Sequence, residues 1–255
     1  MDVSFGTVWE AFARELPDAT AISDPGRDYS YAEFEERSAR LAAALADAGV
    51  GPGDKVACYL YNGAAYLETV FAAFKLGAVP VNVNYRYTSE ELFALLADAD
   101  AAAMVFSAEL AGNIADVAAR LPSLRLLVRV GAGAAVPDAA ELGELLAAHA
   151  PRPARPRSGS DELFMYTGGT TGKPKGVIWR LSDLMHSMEV SVFQRLGVTA
   201  LPGTLDEAVR VAAAARSAGR SPVLMPAVPL MHATGLFNSM GALLAGGRVV
   251  TARPG

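Results

Sequence analysis

Short apolar segments alternate with helical segments between residues 55 and 130, and this alternation limits the chain to few fold classes. Strands are predicted at residues 55–61, 79–83, 102–106 and 124–130, with helices between them at 64–76, 88–97 and 110–121. Apolar strands separated by helices of about 10–15 residues indicate βαβ units. The strands of such units lie parallel, and helices cover both faces of the sheet. The sequence therefore predicts an α/β fold with mostly parallel sheets flanked by helices.

The chain divides at a segment rich in proline, arginine and serine. This segment, residues 151–160, follows a predicted helix at 138–149 and is predicted to be a surface connection. We expect an amino-terminal α/β subdomain at residues 1–160, including a linker at 131–160, and a second, partial α/β subdomain at 161–255. Helices at residues 8–16 and 31–48 complete the first subdomain, and Ser30 is the predicted N-cap of the second of them.

Composition excludes several classes of protein. The chain carries 22 basic and 27 acidic side chains, a net charge of −5, which argues against a nucleic-acid-binding protein. A single cysteine, Cys58, excludes a disulfide framework, and no metal-ligand spacing is found. The apolar stretch at residues 92–106 contains Asp98 and Asp100, so no transmembrane segment is predicted. Because the amino terminus has no signal-peptide pattern, we expect a cytoplasmic protein.

A glycine- and threonine-rich segment, TGGTTGKPKG at residues 167–176, lies between predicted strands at 163–166 and 177–179. Glycine permits close backbone approach, and successive N–H groups in such loops bind anions. Threonine hydroxyls and lysine ammonium groups add donors and positive charge, so the segment is predicted to bind a polyphosphate. The predicted binding residues are Thr167, Gly168, Gly169, Thr170, Thr171, Gly172 and Lys175.

This segment differs from the P-loop of many nucleotide-binding proteins. That motif requires serine or threonine after its Gly-Lys pair, where this chain has Pro174, and a glycine where this chain has Thr167. The segment also leads into a strand, and a helix capped by Ser182 or Asp183 is predicted only after it. A glycine-rich hairpin turn without a ligand is the alternative, although two residues suffice for such a turn.

A second motif, PAVPLMHATG, occupies residues 226–235. A strand is predicted at 223–228 and a helix of small residues at 234–245, so that a proline-bounded loop presents His232 between them. Gly235 permits a ligand to approach the amino terminus of this helix closely. From these residues alone, His232 is interpreted as an ordinary packed histidine.

The segment FMYTGGTTGKPKGV (residues 164–177) resembles the signature phosphate loop of the adenylate-forming superfamily: acyl-CoA synthetases, firefly luciferase and peptide-synthetase adenylation domains. This chain has Gly168 where the family commonly has serine. In this respect it resembles the bacterial fatty-acyl and steroid-side-chain CoA ligases. The segments YSYAEFEERSARLAAALADAGVGPGDKVACYLYN and FAAFKLGAVPVNVNYRYTSEEL resemble the family's opening region. The resemblance extends from about residue 8 to the end of the chain.

The resemblance implies a two-step reaction. A carboxylate attacks the α-phosphate of ATP and forms an acyl-adenylate, and the thiol of coenzyme A then displaces AMP. ATP, Mg²⁺ and coenzyme A are therefore implied, with the phosphate loop and Lys175 holding phosphates and Lys173 at a variable position. His232 matches a position implied to gate the acyl pocket or orient the carboxylate. The resemblance reverses its interpretation, and we predict His232 and Lys175 as catalytic residues.

The family's later blocks, which supply a magnesium-binding glutamate, a ribose-binding aspartate and a catalytic lysine, are not found after His232. We therefore expect roughly the first half of a family member, an incomplete fold with little activity by itself. Apolar surface near residues 243–250 is expected to be exposed and to favour association, for example as a homo-oligomer.

Several alternatives stay open at this point. The predicted helix at residues 205–218 either shapes the acyl site or is a surface insertion. The chain is predicted to belong to an acyl-CoA synthetase for a fatty or steroid-side-chain acid. The alternatives are another adenylate-forming enzyme (a peptide-synthetase adenylation domain, a luciferase-like enzyme or an acyl-ACP ligase) and a non-catalytic part that binds nucleotide or assembles with a partner chain.

Overall fold

A computed structural model describes residues 3–155, 157, 159–167, 175–198 and 200–252. The α-helices are α1 (Phe5–Glu15), α2 (Tyr31–Asp47), α3 (Ala64–Leu76), α4 (Ser89–Asp98), α5 (Ile114–Ala119), α6 (Leu142–Ala148), α7 (Leu181–Arg195), α8 (Leu205–Ser217) and α9 (Ala233–Leu244). The strands are β1 (Thr20–Asp24), β2 (Arg27–Ser30), β3 (Lys55–Tyr59), β4 (Val79–Asn82), β5 (Ala101–Ser107), β6 (Leu126–Val130), β7 (Ala139–Glu141), β8 (Glu162–Thr167), β9 (Lys175–Arg180), β10 (Val223–Leu224) and β11 (Arg248–Val250).

The larger sheet has seven strands in the order β7-β6-β5-β3-β4-β8-β9. Every neighbouring pair in it is parallel except β8 and β9, which are antiparallel. The four residues of β4 and the seven of β5 are all buried, as expected for strands covered on both faces. The prediction of an α/β fold with mostly parallel sheets flanked by helices is therefore confirmed.

The smaller sheet joins distant parts of the sequence. Its strand order is β10-β11-β1-β2, and β1 lies parallel to β11 with Ile22 opposite Val249. Each sheet therefore combines strands from before and after residue 160. The division into two subdomains at residue 160 stays a prediction. Neither sheet is confined to one of the two predicted subdomains.

Four local predictions differ from the structure. The predicted helix at residues 138–149 begins only at Leu142, because Ala139–Glu141 form β7 beside β6. Helix α7 begins at Leu181 with Arg180 as its N-cap, rather than with Ser182 or Asp183, because β9 leads directly into the helix. The predicted helix at residues 110–121 consists of a 3-10 helix, Ala108–Asn113, followed by the short α5. The strand expected at 223–228 is only the two-residue β10.

The expectation of an exposed apolar surface near residues 243–250 is wrong. Leu243, Leu244 and Val249 are fully buried, because β1 and α2 cover this segment. The Tyr31 hydroxyl, at the start of α2, lies 3.0 Å from the carbonyl oxygen of Leu243 and 2.8 Å from that of Gly247. It donates its hydrogen to these two acceptors, so the amino-terminal region fixes the turn after α9.

Large exposed apolar side chains lie elsewhere. Among the described residues they are Val177 and Ile178 on β9, Val190 on α7, Leu201 before α8, and Val223, Met225 and Val228 around β10. Among the described residues, β9 and β10 are each the outermost strand of their sheet. No helix in the described ranges is long and apolar enough to span a membrane.

We predict that Tyr31→Phe lowers the free energy of unfolding by about 1–3 kcal/mol, because it leaves two buried carbonyl oxygens without their shared donor. Urea unfolding followed by circular dichroism measures this change. Tyr29→Phe is the matched control, since the Tyr29 ring is also buried. Equal losses of stability in the two variants would contradict the proposed role of the Tyr31 hydroxyl.

Candidate active site

The two ends of the predicted phosphate loop lie side by side. Strand β8 ends at Thr167 and β9 begins at Lys175, and these two residues are opposite each other in the antiparallel pair. Both side chains are exposed to solvent. The loop residues Gly168, Gly169, Thr170, Thr171 and Gly172, and also Lys173, lie outside the described residues. The structure therefore fixes where the loop leaves the sheet and where it returns.

Tyr166 anchors the end of β8. Its hydroxyl donates a hydrogen bond of 2.6 Å to the Asp98 carboxylate at the end of α4. Burial raises the pKa of Tyr166, and the hydrogen bond and negative charge of Asp98 raise it further, so the phenol stays protonated. A Cβ atom at Gly176 would lie 3.1 Å from the Tyr166 ring, so the glycine lets β9 approach this ring closely.

Asn82, the last residue of β4, connects β8 to the segment that carries His232. Its side chain is buried, and its Oδ1 accepts a hydrogen bond of 2.5 Å from the backbone N–H of Tyr166. Its Nδ2 donates to the carbonyl oxygens of Tyr166, at 3.1 Å, and Met231, at 2.6 Å. Both amide hydrogens and the amide oxygen are thus used. One side chain therefore binds the residues that immediately precede Thr167 and His232.

A second asparagine fixes the same segment from the other side. The Oδ1 atom of Asn62 accepts a hydrogen bond of 2.8 Å from the backbone N–H of Leu230. The chain then turns, with a hydrogen bond of 2.9 Å from the N–H of His232 to the carbonyl of Pro229. Asn82 ends β4 and Asn62 follows β3, at the edge of the sheet where the carboxyl ends of these parallel strands meet. This edge is the usual ligand-binding position in open α/β sheets.

His232 is the N-cap residue of α9. Its backbone is extended, with φ −103° and ψ 143°, and its side chain is exposed and forms no capping hydrogen bond. The first N–H groups of a helix have no partner within the helix and carry partial positive charge. The imidazole and these N–H groups are therefore presented together, next to the residue that Asn82 holds.

Gly235 has a packing requirement that involves no ligand. A Cβ atom there would lie 2.4 Å from the carbonyl oxygen of Pro229 and 2.5 Å from that of Val228. Glycine is thus needed for the first turn of α9 to pack against the preceding segment of its own chain. A contact between Gly235 and a nucleotide stays a prediction.

A groove of about 530 Å³ lies between α7, α9 and β10. Its lining residues come from α7 and the segment after it, from residues 220–224, and from the face of α9 that includes Phe237 and Gly241. Trp179 packs edge-on against Phe237, with ring centroids 5.2 Å apart, so β9 closes the wall behind the groove. The sequence did not reveal this groove, because it depends on the packing of two helices separated by α8.

Helix α8 lies outside the groove wall. Its buried face includes Ala208 and Ala212 and packs against α1 and the turn at Gly246. The Arg216 guanidinium donates a hydrogen bond of 2.9 Å to the Gly246 carbonyl. Of the two interpretations of this helix, the structure supports the surface insertion. Only the segment that follows it, at Arg220 and Pro222, reaches the groove.

Within the part of the chain that the structure describes, no three histidine, cysteine, aspartate or glutamate side chains are grouped to hold a metal ion. The sequence predicted no metal ligand in this chain. Mg²⁺ therefore stays a prediction that rests on the resemblance, and no magnesium ligand is assigned to these residues.

Comparison with known proteins gives one family for nearly the whole chain. The family model described as AMP-binding enzyme matches residues 9–255. The medium-chain acyl-CoA ligase Mig of Mycobacterium avium is 35% identical over 261 residues, which cover 95% of this chain and 46% of that protein. The 3-oxocholest-4-en-26-oate–CoA ligase of Rhodococcus rhodochrous is 34% identical over 242 residues, covering 92% and 42%.

A solved structure shows the same fold. The N-terminal domain of FACL13 from Mycobacterium tuberculosis superposes with a TM-score of 0.79 at 24% identity, covering 99% of this chain and 57% of that one. The chain spans about half the length of the curated relatives it matches, 46% and 42% of the two named above.

We predict that Asn82→Ala lowers the free energy of unfolding by about 2–4 kcal/mol, because it leaves a buried N–H group and two carbonyl oxygens unsatisfied. Chemical denaturation measures the loss. Asn238→Ala is the control, since the Asn238 side chain is exposed and bonds only the Thr234 carbonyl of its own helix. If both variants were equally stable, Asn82 would not have the central role assigned to it.

We also predict that Gly235→Ala destabilises the protein by about 1–3 kcal/mol, because the added methyl group overlaps two backbone carbonyl oxygens. Gly112→Ala is the matched control, because nothing lies within 4 Å of a Cβ atom there. Thermal unfolding of the two variants measures the difference. A Gly235→Ala protein as stable as the control would contradict the close approach.

Proposed function

Because the chain belongs to the family of AMP-binding enzymes, we propose that it is the amino-terminal portion of an ATP-dependent acyl-CoA ligase. Its substrates are ATP, a fatty or steroid-side-chain carboxylic acid, and coenzyme A, with Mg²⁺ as the metal ion. The acid attacks the α-phosphate of ATP, pyrophosphate leaves, and coenzyme A then displaces AMP from the acyl-adenylate. A cytoplasmic location stays a prediction, as does assembly into a homo-oligomer.

The hydrogen bonds of Asn82 carry this proposal. They hold the end of β8, from which the phosphate loop leaves, beside the loop that presents His232. A nucleotide bound by the phosphate loop therefore has its phosphates near the first turn of α9. Two separate sequence motifs then act on the same substrate, as an adenylation reaction requires.

Each predicted residue has a role in this arrangement. Thr167 and Lys175 flank the loop, and the Lys175 ammonium group neutralises charge on the β- and γ-phosphates. Residues 168–172 supply backbone N–H groups and threonine hydroxyls that stabilise the departing pyrophosphate. His232 orients the carboxylate that attacks the α-phosphate. Gly235 permits the first N–H groups of α9 to face the same phosphate.

The groove beside α9 supports an acid with a long apolar body. It starts near Phe237 and Asn238, within two turns of His232 along α9, and apolar side chains of α7, α9 and β10 line it. The names of both curated relatives describe acids of this type, a medium-chain acyl group and a cholestenoic acid. The carboxylate of such an acid lies at the His232 end while its apolar body follows the groove.

We predict that Lys175→Ala weakens ATP binding about tenfold, because a charge-assisted contact to the terminal phosphates is lost. The same variant binds a non-hydrolysable acyl-adenylate analogue as well as the unchanged chain does, since that analogue has no β- or γ-phosphate. Isothermal titration calorimetry measures both affinities.

Lys55→Ala serves as the charge-matched control for this experiment. Lys55 is at the amino end of β3, whereas the candidate site lies at the carboxyl ends of β3 and β4. It is expected to bind both ligands normally. An unchanged chain that binds neither ATP nor the analogue would contradict the proposed function. Equal loss of both ligands in Lys175→Ala would contradict the role of Lys175 at the terminal phosphates.

A further inference from the structure

The groove extends along α9 from its second turn to its carboxyl end. Helix α9 has 12 residues and is therefore about 18 Å long. Phe237 and Asn238, in the second turn of α9, are the first residues along the helix that line the groove, and Ala245, its C-cap, is the last. An acid with its carboxylate near His232 thus directs its far end toward the carboxyl end of α9.

The middle of the groove offers few polar contacts. Leu184, Met188 and Val192 of α7 line it. Val192 packs closely against α9, since a Cβ atom at Gly241 would lie 3.3 Å from its side chain. The nearby hydroxyl groups of Ser187 and Ser191 donate to carbonyl oxygens of their own helix, at 3.0 Å each. This part of the groove is therefore suited to an apolar body.

The far end of the groove differs in charge. Arg195, in the last turn of α7, and Arg220, after α8, both line it, and both are exposed. Neither guanidinium group forms an ion pair or hydrogen bond with another residue in the described ranges. Two unpaired cations thus line the same groove as the apolar side chains of α7.

Backbone contacts fix the segment that contains Arg220. Its N–H donates to the Ala215 carbonyl at 2.8 Å, and the carbonyl of Pro222 accepts a hydrogen bond of 2.9 Å from the N–H of Arg248. This attaches the segment to the start of β11, immediately after α9. A basic residue near a helix carboxyl terminus is favoured by the helix dipole, which accounts for Arg195 on α7. It does not account for a second arginine, from another segment, in the lining of the same groove.

We propose that Arg195 and Arg220 select acids that carry an oxygen acceptor at the end opposite the activated carboxylate. The inference rests on the proposed function for the direction in which the acid lies, and it narrows the substrate class. The acid has a long apolar body with a distal keto, ester or carboxylate group. The planar guanidinium groups donate hydrogen bonds to that distal oxygen.

Matched acids test this selection in the 255-residue chain. The ligands are dodecanoic acid, dodecanedioic acid and the monomethyl ester of dodecanedioic acid, which have the same apolar body and different far ends. Trp179 reports binding through its fluorescence, because it contacts Phe237 in the groove wall. Trp179→Phe, which retains Trp9, identifies the part of the signal that comes from the groove.

We predict that the chain binds dodecanedioic acid about tenfold more tightly than dodecanoic acid. In the double variant Arg195→Gln/Arg220→Gln this preference falls to within about twofold, while the affinity for dodecanoic acid is retained. A preference for the monoester as well means that the arginines recognise a hydrogen-bond acceptor; preference for the diacid alone means that they recognise charge. Either pattern supports the proposal.

Arg210→Gln is the control, because it removes the same charge from an exposed position on α8 outside the groove. It is expected to keep the full preference. Equal binding of the three acids, no binding of any of them, or a preference that survives in the double variant would overturn the proposal. ATP affinity is measured separately, so a failure here is distinguished from a failure of the proposed function.

Discussion

A single buried amide, that of Asn82, joins the two parts of the candidate active site. It bonds both the N–H and the carbonyl of Tyr166 and also the carbonyl of Met231, so the end of β8 and the His232 segment cannot move independently without breaking buried hydrogen bonds. Such bonds are costly to leave unmade in a low-dielectric interior. The position of the end of β8 relative to the His232 segment is therefore a property of the fold, present before any ligand binds.

The rest of the scaffold supports this arrangement by joining distant segments. The smaller sheet pairs β1 with β11, and the Tyr31 hydroxyl bonds carbonyl oxygens in the turn after α9. Helix α9 is thus held at its amino end through Asn82 and Asn62 and at its carboxyl end through Tyr31. These contacts at both ends of α9 fix the groove residues on this helix relative to His232.

Periodic patterns predicted the fold well, because strand and helix alternation is recorded in neighbouring residues. The hairpin of β1 and β2 was missed, since its strands, TAISD and RDYS, are short and polar. The burial of residues 243–250 was predicted wrongly because their cover comes from Tyr31, more than 200 positions away. Asn82 was missed for the same reason: its partners lie 84 and 149 positions along the chain. The one sequence signal for the role of Asn82 is that a polar residue ends a strand of otherwise apolar residues.

Hydrogen–deuterium exchange with and without ATP tests most directly whether the two motifs form one site. The account predicts that ATP slows amide exchange both in the strands that flank the phosphate loop, β8 and β9, and in the first turn of α9. It also predicts little change in α8, which lies outside the site. Protection confined to β8 and β9, with unchanged exchange at the start of α9, would contradict the claim that Asn82 unites the two motifs.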